Sequence, residues 1–318
     1  MRPVGRRKPI WYRRISVPYA CYALSVLTLL NLLNYADRNV FVALVEPIKG
    51  EFSLSDKGMG LLNFAFMLSF SLSAYPIARL SDRGLRKNIV ALGGILWSLA
   101  TFLTGSVHTF FQLFLCRAVL GVGEAAYACT LSPMLSDYFP LRLRATVISI
   151  AASALGLGTA LGFLVGGVIY HHIGWRYAFY AFGLPGIVLA ILAYYLKEPV
   201  RGLPERTELG LHHPREDFAV PRPENLLAPA REILAIPTIR WVCLTGILLT
   251  FSLGGFFFWL PSFLERYHGF STTDVATKLS MIAGCGLLGG MVCGGFLADA
   301  LQRRGGVRTT FGPLSCGG

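Results

Sequence analysis

The chain has 318 residues, of which 54% are hydrophobic and only 14% are charged. Soluble domains carry about 25% charged residues, so this composition excludes an ordinary soluble globular protein. The net charge of +12 is compatible with nucleic-acid binding. However, 22 of the 29 Lys and Arg lie in the N-terminal tail, in alternate loops or at the C-terminal end. This is the positive-inside pattern of a membrane protein, and it argues against a nucleic-acid partner.

Eight apolar segments are long enough to cross a bilayer, which takes about 20 helical residues. They cover residues 18–46, 58–78, 88–107, 109–131, 145–170, 176–196, 238–267 and 275–298. The chain divides into a basic cytoplasmic tail (1–17), an N-terminal six-helix bundle (18–196), a Pro-rich cytoplasmic linker (197–237), a partial C-terminal bundle with helices seven and eight (238–304) and an aberrant Gly-rich tail (305–318).

Four ionisable residues lie inside apolar segments, where each costs several kcal/mol unless it is paired or hydrated. They are Asp37 and Arg38 in the first segment, and Arg117 and Glu124 in the fourth. At 1.5 Å per residue, Asp37 and Arg117 lie about 15 and about 12 Å from the outer ends of their helices. We therefore predict that these two residues pair. Glu124 lies roughly 10 Å further in on the same face of its helix.

These positions favour a functional role over a purely structural polar network, which is the alternative. Glu124 is the predicted proton-accepting group, because burial and nearby cations shift a carboxylate's protonation in opposite directions. Arg117 regulates that group or contacts an anionic substrate. Arg38 either contributes to the same site or extends toward the membrane surface.

A charged segment between the second and third apolar segments recurs after the eighth. In each copy an aspartate precedes two adjacent cations by four residues, and the copies are 217 residues apart. The repeat predicts a transporter built from two parallel halves. We expect the aspartate of the first copy to cap the third helix, and the segment to hold helices together in one transport state; a topology signal is the alternative. The residues are Asp82, Arg83, Arg86 and Lys87, then Asp299, Arg303 and Arg304.

Glycine repeats occur in the fifth and eighth segments. Double GxxxG patterns permit close approach of helix backbones. They indicate either ordinary membrane-helix packing or two helices that meet and slide at the interface between halves. The glycines are Gly158, Gly162 and Gly166, then Gly286, Gly290 and Gly294.

The residues typical of catalysis or metal binding form no recognisable pattern. Seven cysteines are scattered without a CxxC pair, and HExxH, GxSxG and phosphate-loop patterns are absent from the sequence. Buried structural cysteines are the simplest interpretation. We therefore expect no enzyme, no metal site and no cofactor.

The repeated charged segment resembles the signature of the major facilitator superfamily. A narrower resemblance is to bacterial spinster-like proteins, with the anion:cation symporter family sharing part of it. It is carried by Asn34-Tyr35-Ala36-Asp37-Arg38, by residues 117–125, 136–140 and 144–146, by Gly174-Trp175-Arg176 and by residues 197–202.

This resemblance implies twelve helices in two six-helix bundles, alternating access and proton-coupled transport at a bacterial plasma membrane. It also implies that the residues matching Asp37, Arg117 and Glu124 act in coupling and substrate handling, with lysophospholipids and sphingoid phosphates among the family's substrates. The aspartate matching Asp82 is implied to engage helix eleven. Only eight membrane-length segments are present, so we expect the chain to be C-terminally truncated or frame-shifted near residue 305.

Together these observations predict an all-α polytopic membrane protein with a complete N-terminal bundle and the first two helices of a second bundle. The predicted function is proton-coupled transport of an amphipathic or anionic organic solute. The alternatives are a sugar-acid or organic-anion symporter and a non-transporting fragment. The expected partners are the lipid bilayer, the solute and the proton, and the protein is expected to be a monomer.

Overall fold

The computed structural model describes residues 15–202, 204, 228–287 and 289–290. Within these residues all regular structure is helical, which confirms the predicted fold class. Seven of the described helices are long and apolar enough to cross a membrane, namely Val17–Ala43, Asp56–Arg83, Arg86–Thr104, Phe110–Tyr138, Leu141–Ile173, Trp175–Tyr194 and Pro237–His268. The helices are α1 (Val17–Ala43), α2 (Val45–Glu51), α3 (Asp56–Arg83), α4 (Arg86–Thr104), α5 (Phe110–Tyr138), α6 (Leu141–Ile173), α7 (Trp175–Tyr194), α8 (Ala228–Ala235), α9 (Pro237–His268) and α10 (Thr272–Ile282), followed by a π-helical turn (Ala283–Leu287).

Short connections make successive long helices antiparallel and give the bundle two ends. We call one the linker end, because it carries the connections at residues 84–85 and 139–140 and the segment that follows α7. The opposite end is the far end, which carries α2 and the connections at residues 105–109, 174 and 269–271. Local sequence fixes these boundaries: Thr109 and Gln112 form a capping box at the start of α5. Gly269 ends α9 in the left-handed conformation at φ 67°, which favours glycine.

The six long helices from α1 to α7 pack into one bundle, with α1 against α6, α3 against α5, and α4 against both α5 and α7. Buried apolar residues form one cluster toward the linker end and another toward the far end. In α9 the buried residues are only Phe258, Pro261 and Ser262, so most of this helix is exposed within the part of the chain described. The bundle is therefore complete by itself, whereas α9 and α10 lie beside it.

The end of α3 differs from the prediction. The second apolar segment was expected to stop at residue 78, but the helix continues to Arg83 and ends at Gly84. Charge alone does not break a helix, and no glycine or proline lies between residues 78 and 84. Asp82 and Arg83 therefore occupy the last turn of α3 and are exposed, rather than lying in a loop that caps α4.

The glycines of α6 face α1. A Cβ atom at Gly158 would lie 2.5 Å from the carbonyl oxygen of Leu32, and one at Gly166 would lie 2.8 Å from the side chain of Val40. Gly162 likewise faces the carbonyl of Ala36. These three glycines therefore allow α6 to approach α1, not the eighth segment. Of the two alternatives, these contacts fit ordinary packing of neighbouring helices within the bundle.

The helices α6 and α10 do meet, but through other small residues. A Cβ atom at Gly167 would meet Ala276, and one at Gly284, in the π-helical turn that follows α10, would lie 3.5 Å from Ala160. Gly286 and Gly290 have no neighbour within 4 Å of such an atom in the described structure. The remaining predicted residues of the eighth segment and of the second charged copy, Gly294, Asp299, Arg303 and Arg304, lie outside the described residues, as do most of the predicted tails and linker.

Candidate functional site in the membrane-embedded bundle

The four predicted charges lie close together inside the bundle, near the boundary between its two apolar clusters. Asp37 and Arg117 are each 2% exposed and Glu124 is 0% exposed. Glycines let α5 bring its charges this deep. A Cβ atom at Gly121 would collide with the carbonyl of Phe66 in α3, and one at Gly123 would lie 2.7 Å from the backbone nitrogen of Trp97 in α4.

The ion pair in this cluster joins Arg38 to Glu124. The Nε of Arg38 donates to Oε2 of Glu124, so Arg38 points into the protein instead of toward the membrane surface. The predicted pair of Asp37 with Arg117 is not formed: the carboxylate of Asp37 accepts a hydrogen bond from the Thr101 hydroxyl. The prediction used depth alone, whereas the pairing depends on how each helix is rotated about its axis.

Aromatic rings hold both guanidinium groups. The guanidinium carbon of Arg117 lies 3.9 Å from the ring centre of Phe41 and 5.1 Å from that of Phe66. The same atom of Arg38 lies 5.3 Å from the rings of both Phe66 and Phe70. Phe66 therefore contacts both cations. Such contacts contribute about 2 kcal/mol when water is excluded, which offsets part of the cost of burying the charges.

Several buried polar atoms in this cluster have no hydrogen-bond partner among the described residues. They include Nε of Arg117 and Oδ1 of Asp37. An unsatisfied buried polar group costs about 1–3 kcal/mol, and more when it is charged. The cluster is formally neutral, with two cations and two carboxylates, yet it keeps unused donors and acceptors. It is therefore able to bind a proton, water or a polar solute group.

Arg38 is the most accessible member of the cluster, with 29% of its side chain exposed. It lies 5.6 Å from the ring centre of Tyr35 and next to the exposed face of α3. A group that approached along α3 would therefore reach the Arg38–Glu124 pair before it reached the buried Arg117.

A second group of charges lies at the linker end. Arg86 pairs with Asp137 and also donates to the carbonyl oxygen of Pro133 at 3.2 Å. The carboxylate of Glu198 accepts hydrogen bonds from the backbone nitrogens of Arg86 and Lys87, both at 2.9 Å. Glu198 thus caps the N-terminus of α4, the role predicted for Asp82. An anion at this position also complements the helix dipole.

Arg201 caps the preceding helix. Its guanidinium donates to the carbonyl oxygens of Ser81, at 2.7 Å, and of Asp82 and Gly84. These are among the last carbonyls of α3 and its connection, where a cation is favoured. Partial burial, and then the nearby Arg86, lower the pKa of Arg201. The segment after α7 therefore supplies an anion to the start of α4 and a cation to the end of α3. Sequence reasoning missed both roles, although Glu198 and Arg201 lie within a motif that it singled out.

A third group of charges connects α9 to the bundle at the far end. The guanidinium of Arg266 donates to Glu46 at 2.5 Å and to Asp56 at 2.8 Å. Lys49 also reaches Asp56, at 2.6 Å. Arg266 is thus an ionic link between the first helix of the second half and the beginning of the first half.

Comparison with known proteins identifies the family. Residues 27–318 match the family model of the Major Facilitator Superfamily. The chain belongs to this superfamily. It is 30% identical to an "MFS-type efflux pump" of Mycolicibacterium smegmatis, over 89% of this chain and 63% of that protein. It is 29% identical to the "Probable sphingolipid transporter spinster homolog 1" of Arabidopsis thaliana, over 55% of this chain and 39% of that protein.

A solved structure shows the same architecture. It is the crystal structure of a bacterial homolog to the human lysosomal transporter spinster, in an inward-facing and unoccupied conformation. The TM-score is 0.73 at 30% identity, over 91% of this chain and 64% of that chain. This match confirms the spinster-like resemblance and the major facilitator fold. The chain spans less than two thirds of the length of each of these three proteins.

Proposed function

We propose that this protein is a proton-coupled secondary transporter of an amphipathic or anionic organic solute. The observation that supports this most strongly is the buried cluster of Asp37, Arg38, Arg117 and Glu124, which combines one direct ion pair with unused hydrogen-bonding atoms. Ionisable groups inside a membrane protein commonly mark ion and substrate pathways. The similarity to an efflux pump and to a sphingolipid transporter supports the same function.

In the proposed mechanism Glu124 carries the proton. Protonation of Glu124 removes its negative charge and releases Arg38, whose guanidinium is then free to bind an anionic group of the solute. Arg117 and Asp37 adjust the electrostatic potential around this exchange. Loss of the proton restores the Arg38–Glu124 pair and displaces the solute. Coupling thus follows from competition between a solute anion and the Glu124 carboxylate for the same cation.

We further propose that the linker end faces the cytoplasm of a bacterial cell and that the protein acts as a monomer in the plasma membrane. The distribution of Lys and Arg supports this orientation. The linker-end contacts of Arg86, Glu198 and Arg201 would then hold the cytoplasmic ends of α3, α4 and α7 together as the transporter changes state.

Uptake into proteoliposomes tests this proposal. Purified protein is reconstituted, a pH gradient is imposed, and accumulation of a radiolabelled lysophospholipid is compared with that of a sugar acid. Lysophospholipid uptake that depends on the gradient supports the proposal, whereas preference for the sugar acid supports the organic-anion symporter. Folded protein that accumulates neither solute supports the non-transporting fragment.

A further inference from the structure

An apolar groove lies on the outer surface of the bundle, between α1 and α7. Its volume is about 470 Å³, and the residues that line it are leucines, a valine and a proline. Several of them come from the middle of these helices and are exposed, including Leu29 in α1 and Leu184 and Val188 in α7. Because both helices are long and apolar enough to span a membrane, the groove opens toward lipid acyl chains and not toward water.

Two exposed tyrosines lie on the same helix faces as the groove, nearer to the linker end. Tyr22 comes seven residues before Leu29, and Tyr195 comes seven residues after Val188. Seven residues make almost two helical turns, so each tyrosine lies about 10 Å from its groove residue along the same face. Tyrosine is enriched where the acyl chains of a bilayer meet its headgroups. The groove therefore lies at the depth of the acyl chains, and the two tyrosines lie at the depth of the headgroups.

A lysine is held beside Tyr22 at the start of α1. The ring of Tyr19 packs edge-on against that of Tyr22, with 5.9 Å between the ring centres. The ammonium nitrogen of Lys197 lies 4.7 Å from the centre of the Tyr19 ring, and the backbone nitrogen of Lys197 donates to the Tyr19 hydroxyl at 2.7 Å. The exposed side chain of Lys197 is thus anchored at the headgroup end of the groove.

A second lysine is held beside Tyr195 at the end of α7. The ammonium nitrogen of Lys87 lies 5.7 Å from the ring centre of Tyr194, and the Tyr194 and Tyr195 rings are 5.6 Å apart. Neither Lys87 nor Lys197 forms an ion pair with a described residue. The neighbouring carboxylate, that of Glu198, accepts hydrogen bonds from two backbone nitrogens of α4. An ammonium group has three donors and a ring covers only one side of it, so both lysines keep donors for an anion.

The groove and the two lysines match the two parts of an anionic phospholipid. An acyl chain gains contact with the aliphatic groove, and basic residues at the membrane surface attract an anionic headgroup. A soluble anion would gain nothing from the groove. We propose that the groove between α1 and α7 binds an anionic membrane phospholipid, with an acyl chain along Leu29 and Val188 and the phosphate at Lys197 and Lys87. This site lies on the outer surface of the bundle, apart from the buried charged cluster.

Native mass spectrometry of the purified protein in detergent tests this proposal without any transport. The protein is titrated with phosphatidylglycerol and, separately, with phosphatidylcholine that carries the same acyl chains. We expect phosphatidylglycerol to bind more tightly, because only its headgroup has a net negative charge for the lysines to attract. Equal affinity for the two lipids would overturn the proposal.

Lysine variants locate the headgroup. Lys197→Gln should weaken the binding of phosphatidylglycerol about fivefold and leave that of phosphatidylcholine nearly unchanged. Adding Lys87→Gln should remove the remaining preference for phosphatidylglycerol. The matched control is Lys57→Gln, which removes the same charge from an exposed lysine at the far end and should leave the preference unchanged. Equal affinity for phosphatidylglycerol in Lys197→Gln and Lys57→Gln would place the lipid elsewhere and overturn the proposal.

A groove variant locates the acyl chain independently of the lysines. Val188 is exposed, so Val188→Trp should fill the groove without disturbing the core, and we expect weaker binding of both lipids. Leu92→Trp, at an exposed position of α4 that does not line the groove, should weaken neither. Equal lipid binding by the two variants would contradict the proposal. Because no solute or pH gradient is used, failure of the proposed transport would leave these results unaffected.

Discussion

At the residue scale, the properties of the buried charged cluster depend on which charged side chains contact each other. Arg38 contacts Glu124 directly, whereas Asp37 bonds to Thr101 and Arg117 lies against Phe41. The sequence was sufficient to place Asp37 and Arg117 at similar depths and Glu124 roughly 10 Å further in, because the rise of a helix is constant. It was not sufficient to pair them, because neighbouring residues on a helix point about 100° apart and the rotation of each helix is set by packing.

A double-mutant cycle tests this pairing. Arg38→Gln alone leaves Glu124 buried without its cation, and we expect it to lower the free energy of unfolding by about 3–5 kcal/mol. Combining it with Glu124→Gln should recover at least 1 kcal/mol relative to the sum of the single changes. Denaturant titration in detergent measures both values.

The matched control is the same cycle for Asp37→Asn and Arg117→Gln, which the structure holds apart. We expect a smaller coupling energy there than between Arg38 and Glu124. A larger coupling energy between Asp37 and Arg117 than between Arg38 and Glu124 would show that the native pair is Asp37 with Arg117, as predicted from depth.

At the element scale, small residues decide which helices approach each other. Gly158 packs against the backbone of α1, and Gly121 against the backbone of α3. The GxxxG pattern predicted close packing but not the partner, since a small face fits any helix that presents a complementary surface. Hydropathy located the helices because the bilayer fixes their length, but it missed the last turn of α3, where charged residues continue the helix.

Replacement of Gly158 by alanine should prevent normal packing. Its Cβ atom would lie 2.5 Å from a carbonyl oxygen of α1, and neither backbone is able to move without disturbing the bundle. We expect a loss of about 1–3 kcal/mol or failure to fold, measured by thermal unfolding followed by size-exclusion chromatography. Gly60→Ala is the control, because nothing lies within 4 Å of that position and alanine favours a helix. Similar stability of the two variants would contradict this account of α6.

The caps at the linker end make a second prediction for this scale. Arg201→Gln removes the cation from the carbonyls at the end of α3, and we expect a loss of about 1–2 kcal/mol in the free energy of unfolding. Arg83→Gln is a suitable control, since Arg83 is an exposed cation in the last turn of α3, the helix whose end Arg201 caps. Its effect should stay within about 0.5 kcal/mol. Equal losses of unfolding free energy in the two variants would indicate that Arg201 contributes only its positive charge and not its hydrogen bonds to these carbonyls.

At the scale of the whole molecule, the described contacts between α9 and the rest of the chain include the ionic link of Arg266 with Glu46 and Asp56. The remainder of α9 is largely exposed among the described residues. Membership of the superfamily and the major facilitator fold were predictable from the repeated charged segment. The ionic link was not, because Arg266 is 220 residues from Glu46 and 210 from Asp56, and each of the three is typical of a solvent-exposed end.

Loss of the ion pairs of Arg266 should make the buried face of α9 at the far end more accessible to solvent. Ser262, which is 2% exposed, is replaced by cysteine in a background without the native cysteines, and its reaction with a membrane-impermeant thiol reagent is timed. Arg266→Gln should accelerate labelling several-fold. Arg176→Gln, which removes a cation that pairs with Glu51 inside the first bundle, should not. Identical labelling rates with Arg266 and with Arg266→Gln would show that the ionic link does not control access of the reagent to position 262.

The central claim is that Glu124 couples proton movement to solute movement through its pair with Arg38. Comparison of two activities of Glu124→Gln in the same proteoliposomes tests it most directly. We predict that accumulation driven by a pH gradient is abolished, because glutamine binds no proton, whereas exchange of labelled for unlabelled solute without a gradient persists. Unchanged gradient-driven accumulation in Glu124→Gln would contradict the account.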